Sequence, residues 1–185
     1  MNGINHPGLG LEGLTPVERQ AVNKLDSELH SIRPQYDGLI FVLGNFGDER
    51  EDRIDDFQDA AHSWDVADYA AVRMDEFLST SDTDLEGHSK FKVIADHADA
   101  IVPIIEDDAG GVTWEQAIIR EYRRYRQKTY LMKRAYPQKD EHEIYSWMQS
   151  TSLFDRLDGT GRMYEWTIVC DFQAQIDTVL ADIHY

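Results

Sequence analysis

Two six-residue runs, Gly38–Leu43 (GLIFVL) and Ala100–Ile105 (AIVPII), contain no charged or hydrogen-bonding side chain. A strand wetted on one side alternates polar and apolar residues. One that is apolar throughout has to be covered on both faces, as central strands of parallel sheets are. Three shorter segments, Tyr69–Met74 (YAAVRM), Thr129–Met132 (TYLM) and Tyr164–Cys170 (YEWTIVC), are predicted to complete the sheet.

The stretches between them have helical character. Thr15-Pro16-Val17-Glu18 places an N-cap, a proline at the first helical position and an acid at the third, and Val17, Val22, Leu25, Leu29 and Ile32 recur at near-helical spacing. That predicts a helix to about Ser31, ended by Arg33-Pro34. Further helices are predicted over Glu49–Ser63, Lys90–Ala98, Trp114–Gln127, Asp140–Leu157 and Gln173–Ile183. Strands alternating with helices imply right-handed βαβ units. The expected fold is a single-domain three-layer αβα sandwich with a mostly parallel five-stranded sheet in the flavodoxin-like order 2-1-3-4-5. Residues 1–14 are glycine-rich and aperiodic and are expected to form a loose arm, leaving 15–185 as the domain. The polar segment Ser79–Asp84 is expected to be a mobile loop.

Charge narrows the class of partner. The chain of 185 residues carries 22 Asp and 13 Glu against 12 Arg and 6 Lys, a net charge of −17. With 42% apolar residues and four Trp it is a folded globule rather than a disordered acidic tail. Abundant Asp with few Lys resembles the surface habit of halophilic archaeal proteins, in which molar salt screens self-repulsion. A broad basic surface for nucleic acid is excluded. Cys170 is the only cysteine, so neither an intrachain disulfide nor a four-cysteine zinc site exists; in its apolar segment it is expected to be a small buried hydrophobe. There is no apolar run of transmembrane length and no charged-then-apolar leader at Met1, so no membrane partner and a cytoplasmic location are expected. Assembly into a homo-oligomer stays open.

The chemistry is expected where Ala100–Ile105 ends. An acidic, glycine-containing loop, Glu106–Gly111, leads to Thr113, with Gln116 three residues on at capping-box spacing. Trp114 and Glu115 therefore fall in a first helical turn at the carboxyl edge of the sheet, where open α/β sheets bind ligands. A carboxylate there either caps its helix or reacts. Glycosyl transfer is the chemistry that wants it, because an oxocarbenium-like state is stabilised or trapped by a nearby carboxylate. The helix dipole is expected to keep Glu115 ionised. Trp114 reads first as a core anchor and otherwise as a face for a base or nicotinamide. Gly44-Asn45-Phe46-Gly47, at the mouth of the first strand, is either a plain turn or a pocket wall supplying backbone N–H groups, an amide and a ring.

Asp99-Ala100-Ile101-Val102, the acidic loop, Gly111 and Glu115 together resemble the nucleoside 2-deoxyribosyltransferase-like group, which is akin in structure to Toll/interleukin-1 receptor (TIR) domains, several of which cleave NAD. The order of elements over 38–183 is similar; the detailed match is about six residues. The chain departs from that pattern with Ala109 and Val112 where the group has Asp and Thr, and Asp108 and Thr113 are each displaced by one. The resemblance implies an N-glycosidase or deoxyribosyltransferase acting on a nucleoside, nucleotide or NAD, with Glu115 reacting or gripping the ribose and no added cofactor. The alternative is a non-catalytic nucleotide-sensing or protein-interaction module on a TIR-like scaffold.

Other candidates have plainer readings. Asp75, Glu76, Asp107 and Asp108 sit where ribose-binding acids are found, but in a chain with 35 acids solvated carboxylates are the default. Arg120, Arg123, Arg124, Arg126 and Lys128 form the one dense basic run, suited to phosphates or to pairing with nearby acids, the latter favoured. The seven His form no metal signature; Asp96-His97 stands alone in the sequence and His142 has no partner four residues on. No nucleophile elbow and no P-loop are present.

Overall fold

The computed structural model describes residues 13–44, 49–80, 85–108, 112–146 and 149–185. The chain runs α1 (Pro16–Ile32), β1 (Gly38–Leu43), α2 (Glu49–His62), β2 (Tyr69–Val72), α3 (Gly87–His97), β3 (Ala100–Ile105), α4 (Val112–Glu121), α5 (Arg123–Arg126), β4 (Leu131–Arg134), α6 (Glu141–Ile144), α7 (Asp155–Asp158), β5 (Met163–Trp166) and α8 (Val169–His184). The five strands form an all-parallel sheet in the order 2-1-3-4-5, the expected three-layer α/β sandwich. No helix among the described residues is long and apolar enough to cross a membrane.

The unbroken apolar runs are explained by what covers them. Leu39, Phe41 and Leu43 of β1 and Ile101 and Ile105 of β3 pack with Val22, Leu25 and Leu29 of α1, Phe91 and Ile94 of α3 and Ile119 of α4. Their neighbours Ile40, Val42, Ala100, Val102 and Ile104 point the other way, onto Ile54 and Phe57 of α2 and Phe172, Ile176 and Leu180 of α8. Period-two geometry thus splits one run between two cores. The helix after β1 lies on one face and the helix after β3 on the other, so the connections leaving these paired strands diverge at their carboxyl ends. That is the switch point at which such sheets open a crevice.

α1 begins as its sequence predicts: Thr15 Oγ1 accepts from the Glu18 N–H at 3.3 Å, and the Glu18 carboxylate takes the Thr15 N–H at 2.6 Å. Other boundaries move. Val17 is exposed and Ala21 takes its expected place among the buried residues of α1. The helix expected over Asp140–Leu157 stops at Ile144 and resumes through a π turn at Gln149–Phe154; Trp147 and Met148 lie outside the described residues. It stops where Tyr145 is drawn inward, its hydroxyl donating to the Arg134 carbonyl with the Glu106 carbonyl 3.2 Å away. The last strand ends at Trp166 rather than Cys170, because Asp171 Oδ2 accepts from Thr167 Oγ1 (2.5 Å) and from the Ile168 N–H (3.4 Å) and starts α8 there. Cys170 is consequently exposed on the first turn of α8, not buried in a strand.

Candidate functional site

The first turns of α3 and α4 begin near the carboxyl ends of β2 and β3 and stand side by side. Between them is a hollow of about 310 Å³ lined by Gly87, His88, Phe91, Trp114, Glu115 and Ile118. Phe91 forms part of its wall because its ring is fixed from behind, with centroids 5.4 Å from Phe41 and 5.8 Å from Tyr125. Trp114 is 76% exposed, so it is not the core anchor that its size suggested. α4 presents Ile119 to the core, and the position five residues earlier falls on the outer side.

Glu115 is half-buried in this hollow, and its Oε2 has no hydrogen-bond partner among the described residues. Burial pushes its carboxyl group above the ordinary glutamate range, and the hydrogen bond with its own backbone N–H opposes this more weakly. Loss of water thus outweighs the favourable backbone dipole expected at the helix end, and Glu115 holds its proton more firmly than an exposed glutamate does. Nor does the expected capping box form. α4 starts at Val112, so Thr113 sits inside the first turn, where its hydroxyl donates to the Asp108 carbonyl at 3.3 Å. Gln116 turns inward to 4% exposure instead of reaching back.

The remaining predicted residues are dispersed. Gly44 is buried at the end of β1, where an added Cβ would stand 2.6 Å from Ile54 Cδ1, so its lack of a side chain serves the packing of α2. Asn45 and Phe46 lie outside the described residues. Asp75 is held by Arg73, Oδ1 to Nε at 3.0 Å and Oδ2 to Nη2 at 2.6 Å, and that pairing keeps its carboxyl below the usual range. Arg73 also reaches Asp55 at 2.7 Å, so the cluster joins the loop after β2 to α2. Asp108 is exposed, with its N–H donating to the Ile144 carbonyl at 3.1 Å. Part of the basic run closes on the protein itself: Arg124 meets Asp96 at 3.1 Å and lies over the Tyr125 ring, Lys128 Nζ donates to the Ala98 carbonyl at 2.6 Å, and Arg120 and Arg123 are exposed.

Sequence reasoning missed, as members of a site, His88 and Phe91, which the hollow takes from the first two turns of α3. Their signal was present, since His88 and Phe91 are three residues apart, but the helix was expected to start only at Lys90. It also missed a second hollow of about 160 Å³ at the carboxyl end of β4. There Lys133, 3% exposed, donates to Glu141 and Glu165 at 2.9 Å each, and Arg134 donates to Glu106. Burial alone would lower the Lys133 ammonium, but the two carboxylates together hold it above its usual range. A Lys-Arg pair ending a strand in so acidic a chain was the readable clue. These cations are matched by three acids, which makes the second hollow a braced edge rather than an open anion site.

Against known proteins the chain stands apart: no family model matches it, and neither a curated protein nor a solved structure gives a significant match.

Proposed function

We propose that this protein breaks or transfers the N-glycosidic bond of a nucleoside, a nucleotide or NAD, with Glu115 as the reacting carboxylate. The observation that carries the reading is the buried Oε2 of Glu115, unpartnered among the described residues, in a hollow walled by Trp114 and Phe91. At about 310 Å³ the space is in the range of small-molecule sites, which begins near roughly 300 Å³. An isolated carboxylate that has lost its water is poorly stabilised beside a neutral sugar and well stabilised beside a cationic one. It therefore favours the oxocarbenium-like state over the ground state, which is what acceleration requires. The C1′–N bond breaks with its electron pair leaving on the base, and an oxygen of Glu115 closes on C1′. Water or a second base then attacks C1′ and restores the carboxylate; the proton of that nucleophile passes to the departed base where it left a nucleoside as an anion, and to solvent where neutral nicotinamide left NAD. The indole of Trp114 offers a stacking face for the base.

Glu115→Gln is the decisive variant. It keeps size and polarity and removes the negative charge, and base release from NAD or a deoxynucleoside is expected to fall to background while the fold persists. Undiminished turnover in Glu115→Gln would remove Glu115 as the reacting group, and no turnover in the parent protein in molar KCl would move the reading to a non-catalytic nucleotide-sensing or protein-interaction module. The exposure of Trp114 is the feature that such a module would use.

A further inference from the structure

At the opposite edge of the sheet from Glu115, two histidines and an aspartate meet. Asp26 and His30 are one turn apart on α1, and His97 is the last residue of α3. His97 Nε2 lies 2.7 Å from Asp26 Oδ1, with the two side chains only 9% and 15% exposed. His30 brings Nδ1 to 3.9 Å from Asp26 Oδ2, and its ring stands edge-on to that of His97 at 4.9 Å between centroids. One ligand atom from each residue lies within 4.8 Å of the other two.

We propose that Asp26, His30 and His97 bind a divalent transition-metal ion of the zinc class, with water completing its shell, and that the ion ties α1 to α3. Donors around a tetrahedral zinc with bonds of about 2.0–2.1 Å stand about 3.3 Å apart. The present spacings straddle that value, so the set closes on an ion by small side-chain movements within a packed helix pair. Two imidazoles and one carboxylate suit zinc, cobalt, nickel or iron, whereas magnesium and calcium select all-oxygen shells. His30 Nδ1 is also 3.1 Å from the Asp26 carbonyl oxygen, so an ion bound through Nδ1 takes the place of that hydrogen bond. The exposure of His30 leaves a route for water and metal. The neighbouring Arg33 is occupied, donating to the His97 carbonyl and to both oxygens of Asp99.

Co²⁺ is the probe, titrated into the intact protein in molar KCl with excess Mg²⁺ to occupy the acidic surface, and followed by its visible d–d bands. One equivalent is expected to saturate the site, and Zn²⁺ is expected to displace it and raise the Tm. His30→Ala alters an exposed position, His30→Gln keeps a polar side chain there, and both residues form helix better than His. Each should weaken Co²⁺ by at least about tenfold, since even an outer-shell partner is worth 10–100-fold, and Asp26→Asn should do the same. Absence of d–d bands, displacement by Mg²⁺, or unaltered binding in both His30 variants would overturn the proposal. Glu115→Gln should bind Co²⁺ as the parent does, so the two sites stand or fall separately.

Discussion

Arg33 holds Asp99 with both guanidinium nitrogens, Nη1 to Oδ2 at 2.7 Å and Nη2 to Oδ1 at 2.8 Å, and the same Oδ2 accepts the Leu39 N–H at 2.9 Å. The carboxylate thus fastens the amino ends of β1 and β3 to the segment after α1. The two jobs differ in value. The ion pair is substantially solvent-exposed, and such pairs contribute about 0–1 kcal/mol. The bond to Leu39 satisfies a strand N–H in the sheet, whose loss costs about 1–3 kcal/mol. Asp99→Ala is therefore expected to destabilise more than Arg33→Ala in denaturant titrations. Equal losses would show that the ion pair is what matters.

Gly44 should not tolerate a side chain. A Cβ there would meet Ile54 Cδ1 at 2.6 Å and Cγ1 at 2.8 Å, and Ile54 is fully buried against the sheet. Gly44→Ala is expected to cost about 1–3 kcal/mol by overpacking. Adding Ile54→Ala removes both clashing atoms, so the double variant should be more stable than the sum of single losses implies. Strict additivity would place the strain elsewhere.

Glu115 gives a signed pH dependence. Its folded pKa is raised above the ordinary value of 4.5, so the folded state favours the protonated acid. The group's contribution is full below the unfolded pKa and is lost as pH rises through the folded one. Glu115→Gln should then be at least as stable as the parent at neutral pH, and its advantage should vanish on acidification. If Glu115 reacts as a carboxylate, the acidic limb of the pH–rate profile should lie above that of an exposed glutamate. A variant markedly less stable at pH 7 would mean that the carboxylate is held by partners.

The net charge of −17 predicts dependence on salt. Self-repulsion among surface carboxylates is screened within about 3 Å at 1 M salt and reaches about 30 Å at 0.01 M. Circular dichroism should show structure lost in dilute buffer and regained in molar KCl. Indifference to salt would leave the composition without that explanation.

The sequence itself showed β1 and β3 as strands covered on both sides, because a six-residue apolar run rich in β-formers suits a central parallel strand; the expected order 2-1-3-4-5 is the one the sheet has, while which residues of each run meet which core came only with packing. The start of α1 was equally legible, since its capping box is local. What tertiary structure alone decided are the breaks and the meetings. Tyr145 interrupts a periodic helix because the Arg134 carbonyl at the end of β4 takes its hydroxyl. Trp114 faces outward because Ile119 fixes the rotation of α4. Glu115, Phe91 and His88 share a hollow, and Asp26, His30 and His97 share another corner, because parallel crossovers lay α3 beside both α4 and α1. Local rules act over one helical turn or one strand period, whereas a site is assembled from side chains that those rules place independently and only packing brings within reach.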